Sequence, residues 1–265
     1  MRIISAAVAG SICLFGLSSL SSAAVDLEGT ATLLGSINVH TGQAIGAESS
    51  GPEVVTLNSV YSNVTTFTGS VVTNGGSANQ AGNNITTMIA DDLDMTAAAN
   101  IIGFRFSVGN LNTTAVSARP RVRFYADNAG VPGTYLGGFS FNAISFPANS
   151  VNVLGTTIAP FPMPANIWAG MVFDNNTGAT GATLAQLDLL GQGSFDPVDV
   201  GSSTDNLFGT TAAGSFNVND PVGVTFNFGA NPVANVGWEL VSVPEPTMLS
   251  VIGAVASFVL ARRRA

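Results

Sequence analysis

Three carboxylates fall within four residues at Asp91, Asp92 and Asp94, a dense group of hard oxygen ligands. A Ca²⁺ ion takes about six to eight oxygens, and carboxylates crowded on one strand repel each other unless such an ion holds them. In an extended segment Asp92 and Asp94 point to one side, and Asp91 joins them only where the chain bends. A loop from the opposite end of the sequence is a candidate to complete a structural calcium site here. Asp127-Asn128, Asp174-Asn175-Asn176, and Asp196 with Asp199 and Asp205 offer similar atoms. None of these groups has the calcium-loop spacing with its internal Gly and closing Glu. For each, the alternative is an exposed turn whose Asx side chains cap the local backbone.

Other chemistry is narrowly bounded. Cys13 is the only Cys and lies in the first hydrophobic run, so the region beyond it has no disulfide, thiolate metal site or Cys nucleophile. His40 is the only His, its neighbours offer no evident orienting carboxylate, and a multi-His zinc site lacks ligands. A glycosidase needs two carboxylates about 5–9.5 Å apart. Glu28, Glu48, Glu53 and Glu239 are the only Glu before the C-terminal tail, and no acid sits in a short aromatic, amide-rich signature. Sugar-binding platforms use exposed flat rings, whereas sixteen Phe against two Trp and three Tyr is a composition for filling space between sheets. Trp168 and Trp238 fall inside expected strands, either as core side chains or as ligand platforms.

The elements that hold these residues belong to a chain of 265 residues and 26.9 kDa, enough for one medium β-domain. Charged residues make up 9% of it, against roughly 25% in ordinary soluble domains. There is no Lys, and four of the eight Arg lie at the ends (Arg2, Arg262, Arg263, Arg264). Val25 to Val243 holds four Arg against fifteen Asp plus Glu, a formal charge of −11. Such a surface repels phosphate backbones, which excludes nucleic acid as an expected partner.

Both ends read as addresses. Met1 and Arg2 form a positive start, Ile3 to Leu20 is apolar, and Ser22-Ala23-Ala24 puts small residues ahead of a cut between Ala24 and Val25. This pattern is a secretory signal peptide over residues 1–24, because the translocon takes the apolar core and the peptidase pocket admits only small side chains. At the other end, Pro244 and Pro246 fix an extended segment after the last strand. Met248 to Ala261 then carries no charge before Arg262, Arg263 and Arg264. A helix over that run spans about 21 Å, short of the ~30 Å hydrocarbon core, which suits transient rather than permanent inner-membrane insertion. The Arg cluster stays cytoplasmic and leaves the body outside.

Pro244-Glu245-Pro246, the short hydrophobic helix and the terminal Arg cluster resemble the bacterial PEP-CTERM sorting signal over residues 243–265. The resemblance implies recognition by an exosortase-type sorting enzyme and processing near Pro-Glu-Pro. It also implies export to the cell surface or extracellular matrix, with exopolysaccharide as a candidate associate.

Between the ends no helical repeat survives, and the dominant period is two. In Ile101 to Val108, Ile102, Phe104, Phe106 and Val108 share a face opposite Arg105. In Pro120 to Ala126, Val122 and Phe124 point inward, while Arg121, Arg123 and Tyr125 point outward. Further strands are expected at Val54–Val60, Asn63–Thr73, Tyr135–Phe141, Val151–Ile158, Asn166–Phe173, Thr183–Leu189, Gly214–Val218, Val222–Phe228 and Val236–Ser242, with a loop at Asn74–Asn84. Short strands with Gly-rich turns predict an all-β fold, an antiparallel β-sandwich of jelly-roll type. An N-terminal signal helix and a short C-terminal hydrophobic helix flank it. Residues 25–90 form a Thr/Asn/Gly-rich β segment that starts the sandwich, and residues 91–242 form its main part. GFRFSVGN, RVRFYADNAGVPGTYLG and IWAGMVFDNNTG are similar to β-sandwich ectodomains of C-terminally anchored bacterial proteins, a likeness that carries no catalytic residue.

The expected function is that of a non-catalytic exported surface or matrix protein, with signal peptidase and the sorting enzyme as partners and calcium as the one candidate cofactor. The alternative is a carbohydrate-binding module or polysaccharide-processing enzyme with an acidic cleft. A cleft bearing exposed Tyr125, Tyr135, Trp168 or Trp238 beside carboxylates discriminates between them.

Overall fold

The computed structural model describes residues 26–45, 58–213, 221–229 and 233–243. In chain order the strands begin with β1 (Asp26–Gly29), β2 (Thr32–Asn38), β3 (Ser59–Ser62), β4 (Phe67–Thr73), β5 (Ala78–Gln80) and β6 (Asn83–Ile85). The middle of the chain forms β7 (Ile89–Asp94), β8 (Ala99–Asn110), β9 (Val116–Asp127), β10 (Pro132–Phe141), β11 (Ile144–Phe146), β12 (Ser150–Met163) and β13 (Asn166–Asp174). A short helix, α1 (Leu184–Leu187), precedes β14 (Leu190–Phe195), β15 (Leu207–Thr210), β16 (Gly223–Phe226) and β17 (Trp238–Ser242).

These strands make two sheets. One runs β1-β10-β9-β13-β7-β15-β16, with β11 added to β9 and the β5–β6 hairpin added to β13. The other runs β2-β12-β8-β14-β4, with β17 also on β8 and β3 on β17. Strands from residues 25–90 lie in both sheets, β1 against β10, β2 against β12, β3 against β17 and β4 against β14.

The sheets share one apolar core because the period-two alternation gives the central strands an apolar face, with Phe on β8, β9 and β10. Phe104 of β8 meets Phe124 of β9 at 5.5 Å and Phe139 of β10 at 5.2 Å between ring centroids, and Phe106 stacks on Phe141 at 5.3 Å. Offset and edge-on ring pairs of this kind contribute about 0.5–1.5 kcal/mol each beyond the area they bury.

Several expectations need correction. Pairing is not wholly antiparallel, since β1 lies parallel to β10. The two strands are far apart in the chain, so no tight hairpin dictates their relative direction. Asn74–Asn84 is not a plain loop: Ala81 and Gly82 adopt left-handed φ of 48° and 86°, which lets β5 and β6 close a hairpin. Thr183–Leu189 contains α1 rather than a strand. Thr183 and Gln186 form a capping box that satisfies the backbone at the helix start, a signal stronger than a few apolar residues.

On β8, Ile101 is buried and Ile102 is not, because both flanking strands skip a partner there: Phe161 and Ser242 pair with Ile101, Thr157 and Val241 with Gly103. Arg123 and Tyr125 do face away from the shared core, yet both are buried. A second apolar cluster of Ile85, Met88, Ala90, Tyr125, Tyr135, Trp168, Val172 and Phe208 covers that outer face. The expected strand at Gly214–Val218, the signal peptide and the C-terminal helix lie outside the described residues. Among the described residues no helix is long and apolar enough to cross a membrane.

Candidate functional site

Strand β7 places its three carboxylates on two faces. Asp91 alternates with Ile89 and Leu93 of the shared core and is fully buried, whereas Asp92 and Asp94 are partly exposed. The chain leading into β15 continues β7's edge through an antiparallel bridge between Asp94 and Ser202. That puts Ser203 and Thr204 beside Asp91 and Asp92.

Each acid has defined partners. Asp91 accepts from the Val236 backbone N–H at 2.8 Å and from Ser203 Oγ at 3.3 Å. Asp92 accepts from Ser203 Oγ at 3.1 Å, from Thr204 Oγ1 at 2.7 Å and from the Thr204 N–H at 3.2 Å. Asp94 accepts from the Asn166 side-chain amide and, at 3.5 Å, from Ser202 Oγ. Burial pushes the Asp91 carboxyl well above the usual carboxylate range, and the neighbouring Asp92 charge adds to the rise. Asp92 is raised mainly by burial as well, against the pull of the Thr204 and Ser203 hydrogen bonds.

Behind this pair, Tyr61 of β3 and Asn63 are fully buried, and the Tyr61 hydroxyl and both polar atoms of the Asn63 amide have no hydrogen-bond partner. Burial, then the Asp91 charge, raises the Tyr61 hydroxyl well above its ordinary value, while the nearby Ser203 and Asn63 side chains oppose the rise. Asn235 closes the group by accepting from Ser203 Oγ at 3.1 Å. Among the described residues no three His, Cys, Asp or Glu side chains gather into a metal-holding group, so Asp91, Asp92 and Asp94 do not form a three-carboxylate ligand set.

The other acidic groups are structural turns and pairs. Asp127 caps its own turn through Gly130 N–H at 3.1 Å and accepts the Trp168 indole N–H at 2.8 Å. Asp174, fully buried, takes Arg119 at 3.0 Å and also pairs with Arg121, two guanidiniums from alternate positions of β9. Asn175 caps Gly178 N–H and Asn84 N–H, each at 3.0 Å. Asp199 accepts from Thr65 Oγ1 at 2.9 Å, and Asp205 accepts from Ala234 N–H. Arg105 pairs with Glu239 at 3.1 Å.

Trp168 is 1% exposed and Trp238 0%, and Tyr125 and Tyr135 are buried with them, so none of these rings presents a face to solvent. His40 lies exposed with Nε2 3.4 Å from Asn149 Oδ1 and meets no carboxylate there. An open groove of about 600 Å³ beside the end of β17 is lined by Asn58, Thr96 to Asn100, Pro160 and Val243 among others, with no acid or base in its walls.

Sequence reading missed Tyr61, Asn63, Ser203 and Asn235. Neutral polar residues in a chain rich in Ser, Thr and Asn carry no signal until the fold buries them. A scan against family models, a search of curated proteins and a search of solved structures each found no match.

Proposed function

We propose that the chain is a non-catalytic exported protein of the cell surface or extracellular matrix, its body a β-sandwich of jelly-roll type. A signal peptide cut between Ala24 and Val25 sends it across the inner membrane. A C-terminal PEP-CTERM-like signal inserts transiently and is processed by an exosortase-type enzyme. Exopolysaccharide is the associate that this setting favours.

The observation that carries the reading is where the tail begins. Ser242 is still paired to Ile101 on β8, Val243 is half-exposed, and Pro244-Glu245-Pro246 follows at once. A sorting enzyme that engages the motif therefore has no core strand to unravel. The start of the fold is consistent with this, since β1 begins one residue beyond the expected mature N-terminus. The burial of Tyr125, Tyr135, Trp168 and Trp238 favours this reading over a carbohydrate-binding module, which needs exposed rings.

The test is replacement of Pro244, Glu245 and Pro246 together, followed by pulse-chase mass measurement in the native host. The expected result is loss of C-terminal processing with an unchanged unfolding midpoint. Processing that continues as in the wild type overturns the proposal.

A further inference from the structure

Ser203 Oγ has one proton to donate, yet four acceptor oxygens surround it. Asp91 Oδ1 lies at 3.3 Å, Asp92 Oδ1 at 3.1 Å, Asn235 Oδ1 at 3.1 Å and the Thr204 carbonyl at 3.0 Å. A serine hydroxyl satisfies one such acceptor at a time, so acceptors outnumber protons there, although Asp92 Oδ1 also accepts from the Thr204 N–H at 3.2 Å. Two of these oxygens are carboxylate oxygens, and Asp91 is fully buried. The ion pairs of Arg105, Arg119 and Arg121 go to Glu239 and Asp174 rather than to these acids. The buried Tyr61 hydroxyl and Asn63 amide make no hydrogen bond within 3.5 Å, and the hydroxyl lies close enough to Ser203, Asn63 and both Asp side chains to respond to them.

Buried polar atoms without partners are rare, and several around one point call for a common explanation. Oxygens bound side by side to one Ca²⁺ at about 2.3–2.6 Å lie roughly 3 Å from each other, and Ser203 Oγ lies 3.0–3.3 Å from each of these four oxygens. Every ligand atom in the group is a hard oxygen, with two carboxylates among neutral donors and no nitrogen or sulfur base. That set suits calcium and disfavours softer transition metals.

We propose that Asp91, Asp92, Ser203 and Asn235, completed by Asn63 and Tyr61, form a structural site for one calcium ion. The site ties the edge of β7 to the chain entering β15, to the approach to β17 and to β3 in the facing sheet. Asp94 belongs to the Asn166–Ser202 contact and is not one of its ligands. The site stands independently of how the protein is sorted.

The test is calcium titration by calorimetry on the full chain, with thermal unfolding in CaCl₂, MgCl₂ and chelator at matched ionic strength. Expected are one bound calcium per chain, a higher unfolding midpoint in calcium than in chelator through linkage, and a smaller effect of magnesium. Asp91→Asn is expected to weaken calcium at least tenfold and to abolish the rise, while folding in chelator as well as the wild type. Asn63→Ala is expected to weaken calcium without removing a charge, and serves as the second variant if Asp91→Asn does not fold. Asp94→Asn is expected to leave affinity unchanged. Coincident wild-type curves in calcium and chelator overturn the proposal, as does an undiminished calcium response in both Asp91→Asn and Asn63→Ala.

Discussion

Replacing Asp174 with Asn removes the one charge that holds Arg119 and Arg121 together on the outer face of β9. Asp174 is completely buried, and the two arginines retain side-chain exposures of 18% and 22%. Breaking a buried ion pair from one side costs about 3–5 kcal/mol, because the remaining charge stays desolvated. Water reaches part of each guanidinium here, so the cost falls below that range, to about 2–3 kcal/mol after allowing for solvent screening. Asp174 Oδ1 also accepts from the Asn176 N–H at 2.7 Å, and the amide oxygen of the substituted side chain keeps that role, so the loss is one of charge rather than of turn geometry. Burial already lowers the Arg121 pKa, with Asp174 opposing it, and removing that opposition leaves adjacent like charges on Arg119, Arg121 and Arg123. At about 2–4 °C per kcal/mol for a domain of this size, the unfolding midpoint falls by about 4–12 °C. Urea unfolding with and without calcium checks both parts of the reasoning. A change below about 0.5 kcal/mol, the range of ordinary surface substitutions, or a loss that appears only in calcium, refutes the assignment of Asp174 to an arginine pair.

Phe104→Ala, at the meeting of five core rings, is expected to cost about 3–5 kcal/mol. Denaturant melts measure this, and a cost below about 1 kcal/mol would show that the sheets do not pack through this ring. Gly191→Ala would press a Cβ into the Val72 carbonyl oxygen, a contact with backbone that cannot rotate away. A loss of about 1–3 kcal/mol or more is expected, and a neutral result would contradict the β14–β4 register. In chelator, the raised Asp91 pKa makes the folded state bind its proton more tightly than the unfolded chain, so this group's contribution to stability falls as pH rises above the ordinary carboxylate range. Asp92, Asp94 and Tyr61 face the same region, so the difference between wild type and Asp91→Asn across that window isolates the effect. A difference that stays constant or rises with pH contradicts the buried position of Asp91.

The sequence was most informative where one physical rule dominated. Strands β8 and β9 announce themselves through Phe, Ile and Val at alternate positions, a pattern that also separates Phe124 from Arg123, and β13 through a nearly unbroken apolar run. Alternation fails at Ile102, because a slip in both neighbouring strands is a property of the pairing and not of β8 alone. It also treats an outward position as exposed, whereas Tyr125 and Trp168 lie under a second apolar layer built partly from residues near Met88 and Phe208. Thr183 and Gln186 held a legible capping box that a search for period two passes over.

Asp91 and Asp92 were visible as a pair of acids, with a distant loop as a candidate to complete the group. The identity of that loop was not visible. Ser203 is 112 residues from Asp91 and Val236 is 145, separations bridged only by the completed sheets. The Asn175 and Asp127 groups look much like Asp91-Asp92 in sequence, yet the fold commits them to turn caps, an indole and a hairpin.

Intact-mass measurement of the protein recovered from its native host, in strains with and without the sorting enzyme, tests the proposed function most directly. The account predicts a mature chain that begins at Val25 in both strains, and a C-terminus cut near Pro244-Glu245-Pro246 only where the enzyme is present. A mature protein that retains Arg2, or identical C-termini in the two strains, contradicts it.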